Sequence, residues 1–183
     1  MKNIAVVIGS PRKNGNTDIL ASSFIKGAKD AGNNVDVISV IGSNVAGCIG
    51  CDYCKRNDEH KCCQNDDMTD YYKRLANADV IVFATPIYFY NISSQLKTII
   101  DRLHNPIRYT FKVKKLGLLA VCADKRDFVF GSTVQMYKDT LRYFSLEDGG
   151  IITVSGVGEK GDIIGNPLLE DAERMGFSIG DGI

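Results

Sequence analysis

Residues 4–17 read Ile4-Ala5-Val6-Val7-Ile8 and then Gly9-Ser10-Pro11-Arg12-Lys13-Asn14-Gly15-Asn16-Thr17. The apolar run predicts a strand, and the polar residues after it predict a loop that opens a helix near Thr17. Such a helix N-terminus favours a bound anion, because its backbone N–H groups and its dipole point at the loop. The side chains predicted to contact a phosphate there are Ser10, Arg12, Asn14, Asn16 and Thr17. The alternative is an ordinary strand-to-helix turn capped by Asn16 or Thr17.

The spacing of this loop excludes two common phosphate motifs. In a nucleoside triphosphate loop, Gly9 and Gly15 would be one residue closer together, and a Lys would replace Asn16. The dinucleotide fingerprint Gly-x-Gly-x-x-Gly is also absent. A loop rich in Ser, Thr and Asn, with modest positive charge, suits a single monophosphate such as that of FMN.

Composition limits the class of protein. The 183 residues suffice for one domain, 1–183, and a formal net charge of +0 argues against nucleic acid or an anionic membrane as partner. The first apolar run is broken by Gly9, so it is too short for a signal peptide or a membrane span. We therefore expect a cytoplasmic protein. Five of its six cysteines lie between Cys48 and Cys63, and in a cytoplasmic chain such a group indicates metal or redox chemistry rather than structural disulfides.

Apolar runs alternate with helical stretches along the chain. The runs are nearly continuous, which is typical of parallel strands covered on both faces. The pattern predicts an α/β fold, a doubly wound five-stranded parallel sheet with the flavodoxin-like strand order 2-1-3-4-5. The predicted strands are 4–8, 35–40, 80–84, 116–122 and 151–154, and the predicted helices are 17–31, 67–77, 93–104, 132–146 and 167–176.

This topology places the loop after the third strand beside the loop after the first. It reads Thr85-Pro86-Ile87-Tyr88-Phe89-Tyr90-Asn91, and its aromatic residues offer a surface on which a flat ring system can pack. The alternative is that these aromatics belong to the core or face a partner. The loop after the fourth strand, residues 123–132, is the third expected contact, and it is unusually charged.

Taken together, these motifs resemble the NADPH-dependent FMN reductase family. The resemblance rests on residues 9–17, on Thr85-Pro86-Ile87-Tyr88, and on the stretch from Gln95-Leu96-Lys97 to Asp101-Arg102. It implies non-covalent FMN, NAD(P)H as co-substrate and assembly as a homodimer or tetramer. It also implies that Ser10, Arg12, Asn14, Asn16 and Thr17 hold the phosphate, and that Pro86, Ile87, Tyr88 and Phe89 line the isoalloxazine. One departure is the charged run Asp124-Lys125-Arg126-Asp127, where many relatives carry a Gly-rich loop.

The cysteines resemble the iron–sulfur flavoprotein branch of this family. The spacing Cys48-x2-Cys51-x2-Cys54-x7-Cys62 supplies four thiolates for a [4Fe–4S] cluster, and spacing favours Cys62 over the adjacent Cys63. Zinc is an alternative, with four thiolates or with three and His60. Another alternative is a set of reduced thiols, or a redox-active pair such as Cys51 and Cys54. We expect Cys122 to be a core residue.

The first functional hypothesis is an FMN-dependent oxidoreductase that moves electrons from NAD(P)H to a quinone, another flavin or a metal centre. No catalytic side chain is predicted, since no Ser-His-Asp arrangement is evident and the only histidines are His60 and His104. The alternatives are a flavodoxin-like electron carrier for protein partners and, third, a zinc-stabilised interaction module with a vestigial flavin site. The aromatic residues 88–90 predict a homo-oligomer.

Overall fold

Within residues 1–182, one sheet of six strands runs through the molecule, and five α-helices cover its two faces. The computed structural model describes residues 1–182, without the side chain of Asp127, so the predicted domain 1–183 ends one residue beyond it. The strands are β1 (Asn3–Ile8), β2 (Asn34–Ser39), β3 (Val80–Tyr88), β4 (Asn91–Ile92), β5 (Lys115–Val121) and β6 (Glu147–Val154). The helices are α1 (Asn16–Asp30), α2 (Met68–Ala76), α3 (Ser94–Arg102), α4 (Gly131–Phe144) and α5 (Leu168–Ser178).

The predicted α/β class and parallel sheet are confirmed. The parallel strands lie in the order β2-β1-β3-β5-β6, which is 2-1-3-4-5 when these five are numbered among themselves. The sheet differs from the prediction in one respect, because the two-residue strand β4 pairs antiparallel with the end of β3. Among residues 1–182, no helix combines the length and apolar character needed to cross a bilayer.

The prediction that Thr85–Tyr88 belong to a loop was wrong, because β3 continues through Tyr88. Its partner β1 ends at Ile8, whereas β5 stays paired with β3 as far as Val121 opposite Pro86. The carbonyl of Ala84 faces β1, since it accepts the N–H of Gly9, so Pro86 turns its ring nitrogen to the same side. A strand tolerates proline where no ladder bond is lost, and β1 has already ended there.

The strands are apolar throughout because both faces of the sheet are buried. In β1, Ile4 and Val6 pack on the side of α1 and α5, whereas Ala5 and Val7 pack with α2 and α3. The ends of β1, β3, β5 and β6 meet at one edge, and the functional site lies there.

Candidate functional site

A cavity of about 170 Å³ opens at the carboxyl edge of the sheet. Four segments form its wall: the loop after β1, the end of β3, the end of β5 and the loop after β6. The lining residues are Ser10, Arg12, Gly15, Asn16, Thr17, Pro86, Ile87, Tyr88, Val121, Cys122, Ala123, Val157, Gly158 and Lys160.

The wall contains every predicted flavin-site residue except Asn14 and Phe89. Asn14 is exposed, and its backbone N–H donates to the carboxylate of Asp18 in the first turn of α1. Phe89 is 97% exposed at the tip of the β3–β4 hairpin. These two residues therefore lie outside the cavity, and the others surround it.

The start of α1 offers its backbone donors to this cavity. Gly15 is the N-cap residue, and no side chain of the described residues caps the helix. The alternative of a turn capped by Asn16 or Thr17 is therefore wrong. Because the first N–H groups of a helix have no partner within it, this end of α1 is suited to an anion.

Neighbouring elements fix the loop that leads to α1. The N–H of Gly9 donates to the carbonyl of Ala84 at 2.7 Å, and the Ser93 hydroxyl donates to the carbonyl of Gly9 at 2.6 Å. Gly9 lies so close to α3 that a Cβ atom there would be 2.6 Å from the Cβ of Leu96. The position of this loop is thus set before any ligand binds.

Asn16 joins the cavity wall to the loop after β6. Its side-chain N–H groups donate to the carbonyls of Val157 (3.2 Å) and Glu159 (2.7 Å), and its amide oxygen accepts from Gly161 (3.0 Å) and Ile163 (3.4 Å). The amide is therefore engaged by the protein, and its side chain shapes the wall. Thr17 is 2% exposed and lines the cavity without a side-chain hydrogen bond to the described chain.

Two cationic side chains belong to the wall. Arg12 was predicted, and its Nη1 donates to the carbonyl of Gly158 at 3.2 Å. Lys160 was missed, because the loop after β6 has no recognisable phosphate motif. The signal that could have found it is topological: the loop after the last strand ends at the same edge of the sheet.

The charged loop after β5 contributes little charge to the cavity. Only Cys122 and Ala123 from this segment line the wall, and Cys122 is also buried, as expected for a core residue. Asp124 and Arg126 bind each other through bonds of 2.9 and 3.1 Å, and hydrogen bonds from Arg126 lower the pKa of Asp124 to about 2. The charges of Asp124 and Arg126 thus neutralise each other beside the cavity.

The β3–β4 hairpin presents aromatic rings to solvent near the cavity. Phe89 and Tyr90 both have positive φ angles, 48° and 67°, which is the geometry of a type I′ turn. Bulky residues are strained in this conformation. Tyr90 stacks on Phe128 with ring centroids 6.1 Å apart. The aromatic tip, defined as Tyr88, Phe89, Tyr90 and Phe128, is between 42% and 97% exposed.

The cysteine loop, residues 40–67, follows β2 and is closed at its base by two carboxylates. Asp67 accepts the N–H of Asn44 at 2.7 Å, and Asp66 accepts the N–H of Ala46 at 3.0 Å. Arg102 at the end of α3 binds both Asp66 oxygens, at 2.7 and 3.1 Å. These contacts hold the two ends of the loop together and against α3.

Polar side chains organise the second half of this loop. Asn57 donates to the carbonyl of Tyr53 and accepts from the N–H of Lys61, both near 2.8 Å. The Nδ1 atom of His60 lies 3.0 Å from the carbonyl of Cys54, and Asn105 donates to the carbonyl of His60 at 2.8 Å. Apart from one short 3-10 turn, Tyr53–Lys55, the loop has no regular structure.

The thiols of Cys51 and Cys63 contact each other, with sulfurs 3.3 Å apart. The N–H of Tyr53 and the Cys63 thiol lower the pKa of Cys51, whereas the bond with Cys51 raises the pKa of Cys63 to about 11. Cys63 thus interacts with two of the predicted ligands, because Cys51 and the adjacent Cys62 both raise its pKa.

The other three predicted ligands affect the acidity of Cys54. Burial raises the pKa of Cys54, and the charges of Cys62, Cys48 and Cys51 raise it further. Within residues 1–182, no three side chains of Cys, His, Asp or Glu are arranged to hold a metal ion. The chemistry of this donor set nevertheless fits an iron–sulfur cluster, because soft thiolates on an irregular loop are the ligands that such clusters use.

Comparison with known proteins identifies relatives of this chain. A family model described as NADPH-dependent FMN reductase matches residues 2–131. An iron-sulfur flavoprotein of Methanosarcina thermophila is 31% identical over 173 residues, which are 94% of this chain and 87% of that protein. The solved structure of an NAD(P)H:quinone oxidoreductase from Methanothermobacter marburgensis has a TM-score of 0.79 at 16% identity, covering 98% of this chain and 96% of that one. An azoreductase from Bacillus anthracis strain Sterne has a TM-score of 0.72, also at 16% identity, covering 97% and 100%. At these identities the two structures show that the fold is shared.

Proposed function

This chain belongs to the NADPH-dependent FMN reductase family and is an FMN-dependent oxidoreductase, and we propose that it passes electrons from NAD(P)H to an acceptor such as a quinone, another flavin or a metal centre. The observation that carries this proposal is the cavity. Its wall combines the backbone donors at the start of α1 and the cations Arg12 and Lys160 with apolar and aromatic residues of β3.

The residues of the cavity fit the two halves of FMN. We assign the phosphate to the N-terminus of α1, with Ser10, Arg12 and Thr17 from the predicted set and Lys160 in addition. Asn16 stabilises this part of the cavity through its hydrogen bonds to the loop after β6. We assign the isoalloxazine to Pro86, Ile87 and Tyr88, and neither Asn14 nor Phe89 is given a contact with FMN. When bound, FMN supplies the chemistry, because it accepts a hydride and releases electrons singly or in pairs.

The chain's own part in the reaction is to bind and orient. The wall residues Val121, Val157 and Ile87 are apolar and keep water from the ring. No acid or base side chain is assigned, since the cavity lining contains neither His nor a carboxylate.

Anaerobic reduction tests the enzyme against the carrier hypothesis. NADPH or NADH is added to the FMN-loaded protein without oxygen, and the visible absorbance of the flavin is followed. An enzyme should show bleaching by the nucleotide and return of the absorbance when a quinone is added. Bleaching by dithionite but not by either nucleotide would favour a carrier reduced by a protein partner.

The second part of the proposal is a [4Fe–4S] cluster on Cys48, Cys51, Cys54 and Cys62. It is supported by the spacing of the four cysteines, by the charges that meet at Cys54 and by the similarity to a protein named iron-sulfur flavoprotein. Iron and sulfide are measured after reconstitution without oxygen, together with a low-temperature EPR signal after reduction. Finding zinc instead, or only free thiols while FMN binds normally, would reject the cluster.

We further propose a homodimer or tetramer assembled through the aromatic tip. Rings this exposed are costly in solvent, and a second copy of the chain can cover them. Sedimentation of the parent protein and of a Phe89→Ser variant at micromolar concentration tests this. A parent protein that sediments as a monomer would reject the assembly.

A further inference from the structure

Two exposed thiols of the cysteine loop lie in contact. The Sγ atoms of Cys51 and Cys63 are 3.3 Å apart, although the residues are 12 positions apart in the chain. An S–S bond is about 2.0 Å long, so only a small movement of the two side chains separates this contact from a disulfide. Both residues are exposed, whereas Cys54 and Cys62 are half-buried. A small oxidant in solution can therefore reach this pair of thiols.

The side chain of Asn57 brings the two flanks of this pair together. Its amide group donates to the carbonyls of Tyr53 (2.7 Å) and Lys61 (3.0 Å), and its oxygen accepts the N–H of Lys61 at 2.8 Å. Tyr53 lies two residues after Cys51, and Lys61 lies two residues before Cys63. Asn57 therefore joins two points that are equally far from the two cysteines, and it closes the segment between them into a turn whose ends meet at the thiols.

This turn has an uncommon backbone conformation at both ends. Asp52, the residue after Cys51, has a φ angle of 56°, and His60 has a φ angle of 51°. Residues other than glycine seldom adopt positive φ, and those that do are often found at functional sites. The N–H of His60 donates to the carbonyl of Asn57 at 3.1 Å, and Asn105 donates to the carbonyl of His60 at 2.8 Å. The loop therefore keeps a defined turn between the two cysteines.

A positive charge lies beside Cys51. The Nη2 atom of Arg56 donates to the carbonyl of Cys51 at 2.7 Å. The thiolate is the nucleophilic form of cysteine, and a neighbouring guanidinium favours it. Four other charged side chains of the turn form ion pairs with each other, Asp52 with Lys55 and Glu59 with Lys61. Cys51 is thus the thiol better placed to attack a disulfide.

We propose that Cys51 and Cys63 are a redox-active dithiol, which a low-molecular-weight disulfide such as oxidised glutathione converts into an intramolecular disulfide. The thiolate of Cys51 attacks one sulfur of the external disulfide, forms a mixed disulfide and releases one thiolate. The thiolate of Cys63 then attacks the Sγ atom of Cys51 and releases the second. In all, the two cysteines lose two electrons and two protons, and the external disulfide gains them as two thiols.

This site works without a metal and does not depend on the proposed cluster. Cys51 is also one of the four proposed ligands, so a chain that carries the disulfide has only three of those thiols left. The disulfide and the cluster are therefore alternative states of the same loop. Neither cysteine of the pair lines the FMN cavity, and FMN can bind in both states.

Mapping of the disulfide tests the proposal. The full-length, FMN-loaded protein is treated with a chelator to remove metal, reduced with dithiothreitol, freed of this reductant without oxygen, and incubated with oxidised glutathione. Free thiols are then alkylated and the protein is digested with trypsin. We expect mass spectrometry to find peptide 30–55, which contains Cys51, linked to peptide 62–73, which contains Cys63.

Four serine variants identify the linked residues. Cys51→Ser and Cys63→Ser should lower the amount of the linked peptides at least tenfold. Cys54→Ser and Cys62→Ser are the matched controls on the same two peptides and should keep the link. A link that forms in Cys51→Ser or Cys63→Ser as it does in the parent, or that is lost in either control, would assign the bridge to another pair and overturn the proposal.

Asn57→Ala tests whether the turn positions the two thiols. Without the three bonds of Asn57 the thiols meet less often, so the equilibrium constant for forming the disulfide in a glutathione buffer should fall about tenfold. Asn65→Ala is the matched control, because Asn65 is an exposed asparagine two residues beyond Cys63, and its constant should stay within about twofold of the parent's. Equal constants in the two variants would contradict the positioning by Asn57.

The outcomes also separate this inference from the proposed function. FMN affinity is measured in every variant and should be unchanged, because none of the substituted residues lines the cavity. A parent protein whose FMN is bleached by NADPH or NADH, but whose Cys51 and Cys63 stay free at every ratio of oxidised to reduced glutathione, would overturn the dithiol and leave the oxidoreductase in place. A linked parent whose flavin neither nucleotide reduces would do the reverse.

Discussion

The loop after β1 and the loop after β2 leave neighbouring strands of the sheet, but they are held in place in different ways. In residues 9–15, Gly9 contacts β3 and α3, and Arg12 contacts the loop after β6. Residues 40–67 are anchored at their base by Asp66, Asp67 and Arg102 and farther along by the bond from Asn105 to the carbonyl of His60, and most of their other polar contacts lie within the loop. The short loop after β1 is thus positioned by neighbouring elements of the fold, whereas the long loop after β2 is held mainly at its base, and its cysteines lie on the less constrained part.

The largest expected effect is on the metal content of the cysteine loop. Cys54→Ser removes the thiol on which the charges of the other three ligands converge, so iron and sulfide in the reconstituted protein should fall to background. Cys63→Ser is the matched control and should keep near-parental iron, because Cys63 lies outside the assigned set. FMN binding should be unchanged in both. Loss of iron in Cys63→Ser, with retention in a Cys62→Ser variant, would show that the fourth ligand is Cys63 and not Cys62.

A pair of glycine variants measures how tightly each loop is held. Gly9→Ala forces a Cβ atom to 2.6 Å from the Cβ of Leu96, and overpacking of this kind should lower the free energy of unfolding by about 1–3 kcal/mol. At Gly47 in the cysteine loop, an added Cβ meets no atom within 4 Å, so Gly47→Ala should change stability by less than about 0.5 kcal/mol. Urea unfolding measures both. Equal effects would erase the proposed difference between the loops.

Variants of two adjacent residues of α1 should distinguish a residue that stabilises the cavity wall from a residue that contacts FMN. Asn16→Ala removes the bonds to the loop after β6 and should lower the free energy of unfolding by about 1–3 kcal/mol, because buried backbone groups lose their partner. Thr17→Val exchanges the hydroxyl that lines the cavity for a methyl group of similar size. It should weaken FMN binding by about 1 kcal/mol and leave unfolding nearly unchanged. Calorimetric titration with FMN and urea unfolding decide this, and a Thr17 variant with parental FMN affinity would contradict the phosphate assignment.

The smallest effect concerns acid and the base of the cysteine loop. Burial raises the pKa of Asp66, but hydrogen bonds from Arg102 and from the N–H of Ala46 outweigh it, so the folded pKa lies below the ordinary value. A lowered carboxyl pKa stabilises the folded state above the unfolded pKa, near pH 4, and this contribution is lost as pH falls through the folded pKa. Asp66→Asn should therefore show a shallower loss of stability between about pH 5 and pH 2. An identical dependence of stability on pH in parent and variant would show that the pKa of Asp66 is not lowered in the folded state.

Sequence reasoning reached the parts of the molecule that follow local rules. Apolar runs are parallel strands, and the ends of such strands share one edge, so Thr17 and Pro86 could be predicted to lie near each other. The continuation of β3 through Tyr88 was missed, because nothing in the sequence of Thr85–Tyr88 shows how far β5 stays paired with β3. The turn was also hard to predict because Phe and Tyr occupy its two positive-φ positions, where Asn, Asp or Gly is usual.

Other features were out of reach because they depend on distant contacts. The role of Asn16 comes from bonds to residues between 141 and 147 positions away, and Lys160 joins the wall only because that loop folds back. The pairing of Cys51 with Cys63 could not be predicted either, since a loop without periodic structure gives no rule for which thiols meet. The assignment of Cys48, Cys51, Cys54 and Cys62 as the four ligands remains a prediction.

The Asn16 contacts also have a consequence for how the cavity arises during synthesis. Residues 157–163 leave the ribosome more than a hundred residues after Asn16, and contacts of such long sequence separation form late in folding. A nascent chain that has completed β1, β2 and β3 therefore has the loop after β1 but not the wall behind it. Capture of FMN should be one of the last events in the maturation of this protein, after β6 has joined the sheet.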